Sequence, residues 1–225
     1  MYEILLSNHA KIMDTGPGGK ELIAGDRQAG YFGDLTGTEF TSGNNLASLI
    51  GLTVGTALNT DTDWLKFMYK GRILYVPKKP LRVDLSWSDL HQKGAVFGTA
   101  VVTIKERQYR VRLMKGSGVD PYRGVNGGSD DPFTIGSEYN DLMYRVCSID
   151  PPSQSLPNFV SFTPTDLGMY SSGGVQLCQD RSEPSGGVVP GILCRGNGAT
   201  DMATSHSPAE SYSAGRGWRP VLEVA

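Results

Sequence analysis

Apolar and polar positions are most regular between residues 64 and 113. The run Trp64-Leu65-Lys66-Phe67-Met68-Tyr69, the pair Lys70-Gly71 and the run Arg72-Ile73-Leu74-Tyr75-Val76 predict a β-hairpin, which Lys78-Lys79-Pro80 ends. A second hairpin is predicted from Thr99 to Ile104 and Tyr109 to Leu113, joined by the charged turn Lys105-Glu106-Arg107-Gln108. In its returning strand Tyr109, Val111 and Leu113 share one face and Arg110 and Arg112 the other, the pattern of a sheet with one wet face.

Helical signals lie around these hairpins. Ser86 is placed to cap a helix through Trp87, Leu90 and Lys93, with Gly94 as its stop. The clearest helical period follows Ser137. Tyr139, Leu142, Met143 and Val146 fall at i, i+3, i+4 and i+7, so one stripe packs inward while Asn140, Asp141 and Arg145 face water, until Pro151-Pro152 ends the helix.

The two ends of the chain read differently. Tyr2 to Leu6 predicts a short strand, and Asp14-Thr15-Gly16-Pro17-Gly18-Gly19 predicts a turn. Asn44 or Asn45 is expected to cap a short helix through Leu46, Ala47, Leu49 and Ile50, with Gly51 at its left-handed end. So short a helix is marginal alone, and Tyr31, Phe32, Leu35 and Phe40 offer apolar area for a neighbouring subunit to cover. Residues 1–60 are therefore expected to form an attachment or oligomerisation region.

From Tyr170 to Gly217 the chain is mostly Gly, Ser, Pro, Asn, Asp and Thr, with no period sustained beyond Leu193, which predicts irregular loops. Then Gly215-Arg216-Gly217-Trp218 leads into Val221-Leu222-Glu223-Val224. Chain ends fray unless a sheet captures them, so this segment predicts a terminal strand anchored by Trp218. Hairpin, helix, hairpin, helix, loops and strand together predict an α+β domain.

Composition agrees with short strands and many turns. Of 225 residues 29 are Gly and 13 are Pro, well above average usage. Lys and Arg number 21 against 23 Asp and Glu, so no basic field for nucleic acid is expected. The start, Met1 to His9, carries Glu3 and a very short apolar run, unlike a secretory signal, and no apolar stretch approaches the length of a membrane helix. A soluble product of the cytosol is expected. Cys147, Cys178 and Cys194 have no CxxC spacing and leave two readings open: buried free thiols, or a Cys178–Cys194 bridge.

Five ordered blocks resemble a known family: residues 64–67, 71–80, 109–113, 136–145 and 217–223. Trp-Leu-Lys-Phe, Gly-Arg-Ile-Leu-Tyr-Val-Pro-Lys-Lys-Pro, Tyr-Arg-Val-Arg-Leu, Gly-Ser-Glu-Tyr-Asn-Asp-Leu-Met-Tyr-Arg and Gly-Trp-Arg-Pro-Val-Leu-Glu resemble virion structural proteins of tailed bacteriophages. There they belong to a C-type-lectin-like domain, related to phage tropism determinants and more distantly to formylglycine-generating enzymes. The resemblance implies a small twisted antiparallel sheet, two helices and a long irregular loop region over residues 61–225, behind the attachment region 1–60.

It also implies a non-enzymatic virion component, a tail-fibre, collar-fibre or similar appendage protein, made in the host cytoplasm and located in the virion. Other virion proteins, further copies of the chain and a host-surface glycan or protein are the expected partners, with no cofactor, nucleic acid or membrane insertion. Loops over about residues 153–216 would face outward, with Tyr170, Gln176, Gln179, Asp180, Arg181, Arg195, Asn197, His206 and Tyr212 as candidate contacts. The alternatives are a capsid-decorating protein and a carbohydrate-binding module.

Other chemistries have weaker patterns. A copper-holding thiol pair needs reactive thiols, and no basic cluster adjoins Cys178 or Cys194 in sequence. A lectin-type calcium site needs clustered oxygen ligands, whereas Glu183-Pro184-Ser185 lacks the amide and Trp218 precedes Arg219. Asp120 with Asp130-Asp131 is the other carboxylate group, read as a solvated turn. His9, His91 and His206 are isolated, and Gly16-Pro17-Gly18-Gly19 runs into Lys20-Glu21, which is no phosphate-binding loop.

Overall fold

Both predicted hairpins form, and the C-terminal strand lies between them, with Leu222 opposite Tyr75 on one side and Val111 on the other. The computed structural model describes residues 15–123, 137–148, 157–183, 191–196, 204–207 and 215–225. The expected strand Tyr2 to Leu6, the Asp130-Asp131 loop and Pro151-Pro152 lie outside them.

In chain order the elements are β1 (Ala24–Gly25), β2 (Ala29–Leu35), α1 (Gly43–Leu49), β3 (Thr56–Ala57), β4 (Trp64–Tyr69), β5 (Arg72–Pro77), β6 (Arg82–Val83) and α2 (Trp87–Gln92). Then come β7 (Phe97–Ile104), β8 (Arg107–Arg112), a helical segment over 139–146, β9 (Val175–Ser182), β10 (Gly191–Arg195), β11 (Thr204–Ser207), β12 (Arg216–Trp218) and β13 (Val221–Val224). The fold is α+β and mostly sheet.

An antiparallel seven-stranded sheet has the order β1-β2-β4-β5-β13-β8-β7. The second sheet runs β11-β10-β9-β12-β6-β3 and is parallel only where β12 meets β9. Thus, among the described residues, the stretch expected to be irregular loops contains β9, β10, β11 and the start of β12. In β9 the polar Gln176, Asp180 and Ser182 are buried beside Leu177 and Cys178, so burial does not follow a hydrophobic alternation.

Local chemistry accounts for the turns and caps. Each hairpin closes over two left-handed residues, Lys70 and Gly71 or Lys105 and Glu106, a twist that matches the strands they join. The second turn is therefore two residues shorter than its charged stretch suggested. Ser86 and Asp89 form a reciprocal capping box on α2, and Gly94 follows it at φ +71°. On α1 the cap is Ser42, which accepts from the Asn45 amide at 3.2 Å; Asn45 instead donates its side chain to Thr41.

The seven-stranded sheet is covered on both faces around β4 and β5, which is why these strands read as continuous apolar runs. Trp64, Met68, Ile73 and Tyr75 enter one core with Phe40, Leu90, Val111, Trp218 and Leu222. Leu65, Phe67, Tyr69, Leu74 and Val76 enter the other, beneath Leu142, Met143, Phe159 and Leu167.

Two expectations change here. Tyr31, Phe32, Leu35 and Phe40 are buried by their own chain, and β1 to β3 join the two sheets, so the patch expected to await a neighbouring subunit is already covered. Phe40 stacks on Tyr75 with ring centroids 4.5 Å apart. Around Ser137, whose hydroxyl accepts from the Asn140 amide at 3.0 Å, a helix does start as expected. It continues as a π turn and then a 3₁₀ turn, and Asn140, Asp141 and Arg145 are buried rather than wet. Each has a partner: Arg195 for Asn140, the Tyr69 hydroxyl for Asp141, and the Pro157 carbonyl with the Phe159 ring for Arg145.

Candidate binding cleft

The 139–146 segment covers part of the outer sheet face, and residues of β5, β13, β8 and β7 beside it floor a cleft of about 440 Å³. Arg72, Arg110, Arg112 and Glu223 contribute from the sheet. Glu138, Lys115 and the 117–120 loop form one side, and Gln179, Asp180 and Phe97 also line it.

Arg112 organises this floor. Its Nη1 and Nη2 donate to the two Glu138 oxygens at 2.7 and 2.6 Å, and its Nε donates to Glu223 at 2.9 Å. Arg72 donates to the other Glu223 oxygen at 2.8 Å, and the Lys115 amide adds a bond to Glu138 at 3.1 Å. Burial alone would raise the Glu223 pKa; the bonds from Arg72 and Arg112 outweigh it and hold the carboxyl below its ordinary value. Arg112 was expected on the wet face with Arg110, but this network buries it.

Asp180 has the opposite balance. Burial pushes its pKa up to about 6, against the lowering effect of the Gly116 amide, which donates to it at 2.6 Å. Asp120 accepts from both the backbone and the guanidinium of Arg181, at 3.1 and 3.2 Å. The side chains of Lys70, Arg110 and Lys115 form no ion pair with any described residue, although Lys70 lies over the Tyr69 ring.

An aromatic group borders the cleft. Trp87 and His91, one turn apart on α2, stack 4.9 Å apart, and Phe97 meets both edgewise at 5.8 Å. Phe97 is 56% exposed. It stands at a register shift in β7, where Gly98 takes φ +80°, a conformation that a side chain resists and that re-aims the strand.

The sequence-predicted contacts divide. Gln179 and Asp180 line the cleft, and Arg181 is exposed beside it, clamped to Asp120. Tyr170 is exposed but lies outside the cleft lining. Gln176 and Arg195 do not face outward. Gln176 donates to Gly174 O, while Arg195 donates to Gly116 O and Asn140 and packs 4.5 Å over the Tyr139 ring. Both are strand residues whose polar groups are satisfied inside the protein, and Asp180 is likewise a buried strand residue, not part of a displayed loop. Asn197, Tyr212 and the His206 side chain lie outside the described residues. The residues missed were Phe97, Arg110, Arg112 and Lys115. For the two arginines the signal was present, as the polar alternation of β8.

All three cysteines are free and buried, which decides between the two readings left open. Burial, with Asp180 nearby, pushes the Cys178 thiol well above its usual pKa. Among the described residues no three His, Cys, Asp or Glu side chains gather as a metal site, and no helix is long and apolar enough to cross a membrane. A shallower depression of about 570 Å³ lies between the 59–63 turn and Lys78, Lys79 and Asp166. There Lys78 pairs with Asp34 at 3.2 Å and lies over Phe162.

No family model matches the chain, and comparison with curated proteins and with solved structures returns no match.

Proposed function

We propose that this chain is a non-catalytic structural component of a tailed-phage virion, an appendage protein built on a C-type-lectin-like domain that binds by shape. The observation that carries this reading is where the five resembling blocks fall. Blocks 64–67, 71–80, 109–113 and 217–223 supply β4, β5, β8 and β13, four strands that are adjacent in one sheet, and the described part of block 136–145 packs on that sheet through Tyr139, Leu142, Met143 and Tyr144. Scattered similarity would have no reason to converge on one layer. A last strand closing back between earlier ones also suits a lectin-like platform, whose cleft and neighbouring loops are then free to contact a surface.

Repeated copies in a particle would turn weak contacts into firm attachment. Immunogold labelling of intact particles tests the assignment. Label at the tail or collar is the expected result; label on the head favours capsid decoration, and unlabelled particles contradict both.

A further inference from the structure

We propose that the open part of the outer sheet face binds a carboxylate-bearing saccharide, with a sugar ring against Phe97 and its carboxylate held by Arg110 and Lys115. The proposal deepens the attachment role above by naming a ligand class, and rests on that reading for its biological setting.

Charge is the first reason. Most acidic side chains that line the cleft are already ion-paired: Glu138 and Glu223 with Arg112 and Arg72, and Asp120 with Arg181. Asp180 is bonded to the Gly116 amide and attracts Lys115 without a direct ion pair, and Lys70 and Arg110 have no ion-pair partner among the described residues. The cleft therefore carries more unpaired positive than negative charge, and a guanidinium can take a carboxylate through two parallel bonds.

Shape is the second. One exposed ring, held outward by the β7 register shift and backed by the Trp87–His91 stack, adjoins a floor of charged side chains. Aromatic faces beside a few fixed polar groups are the usual build of a small-ligand site. Gln179 adds a further polar group, its Nε2 already donated to Val96 O at 2.9 Å. An extended acidic peptide would instead call for pockets spaced for alternate side chains. Among the described residues the cleft offers a single exposed ring, that of Phe97, since Tyr69 in its lining is buried.

Calorimetric titration of the full chain with short alginate oligosaccharides, in which every ring carries a carboxylate, tests this. Controls are the same oligosaccharides with carboxylates reduced to alcohols, and polyglutamate. Alginate should bind, more weakly as salt rises, while the reduced form binds at least about tenfold more weakly. The pair Arg110→Ala/Lys115→Ala should lose at least about tenfold in alginate affinity, and Phe97→Ala about fivefold.

No alginate binding, equal binding of the reduced form, or polyglutamate binding as tight as alginate would overturn the proposal. If the alanine pair fails to fold, Arg110→Gln/Lys115→Gln carries the same expectation. Purified chain suffices for these titrations, so their failure is separate from a failure to find the protein in the particle.

Discussion

Arg112 and Glu138 meet through two parallel hydrogen bonds, although 26 residues separate them in the chain, and both side chains are almost wholly buried. The pair ties β8 to the start of the 139–146 segment and so sets one side of the cleft. Removing Glu138 leaves Arg112 with Glu223 as its remaining anionic partner and takes away two charge-assisted hydrogen bonds. Glu138→Ala is expected to cost about 1 to 3 kcal/mol in urea denaturation. The Arg72–Glu223 bond, whose arginine is largely exposed, is worth far less, and Arg72→Ala should cost under about 1 kcal/mol.

Asp180 and Glu223 should respond to pH in opposite directions. The Asp180 pKa is raised in the fold, from 3.8 to about 6, so its contribution to stability is fully present below about pH 4 and is lost as pH rises through 6. Asp180→Asn, which keeps a carbonyl to accept from Gly116, should be more stable than the natural chain at pH 8, by up to about 3 kcal/mol, and lose that advantage at pH 4. The Glu223 pKa is lowered, so its stabilising contribution is present above the ordinary carboxylate range and disappears on acidification. Thermal melts of natural chain, Asp180→Asn and Glu223→Gln from pH 4 to 8 separate the two effects.

Trp218 is fully buried among Leu81, Tyr75 and Leu222, and its carbonyl accepts from the Leu81 amide at 2.9 Å. Trp218→Ala is expected to cost about 3 to 5 kcal/mol, with Trp218→Phe costing less. The preceding glycine is required by contact, since a Cβ at Gly217 would stand 2.1 Å from the Gly173 carbonyl oxygen. Gly217→Ala should therefore lower the melting temperature even though it adds only a methyl group.

The buried thiols make a chemical prediction. Ellman's reagent should find no reactive thiol in the native protein and three after denaturation, because Cys147, Cys178 and Cys194 are buried and unbridged. A native count of one or more would contradict their placement.

Features set by neighbours in sequence were legible before the structure. The Lys70-Gly71 turn, the Ser86 cap, the Gly94 stop and the terminal strand all depend on contacts within a few residues or on one clear alternation. Features set by partners far along the chain were not. Asn140, Asp141 and Arg145 look like the wet face of a helix, yet Arg195, Tyr69 and the Pro157 carbonyl satisfy them in the interior. Gln176, Asp180 and Arg195 looked like loop contacts for the same reason: burial of a polar residue depends on a distant partner that no local period reports. The cleft was half visible, in the Arg110 and Arg112 alternation and in Gln179-Asp180, while the exposed Phe97 carried no mark distinguishing it from core aromatics.

The central claim, that this is an attachment protein acting through its open sheet face, is tested most directly by competition for phage adsorption. Host cells are incubated with purified chain, and the fraction of phage that then adsorbs is counted. The account predicts a dose-dependent fall with the natural chain and little or none with Arg110→Ala/Lys115→Ala. Adsorption unchanged by the natural chain, or reduced equally by both proteins, would contradict it.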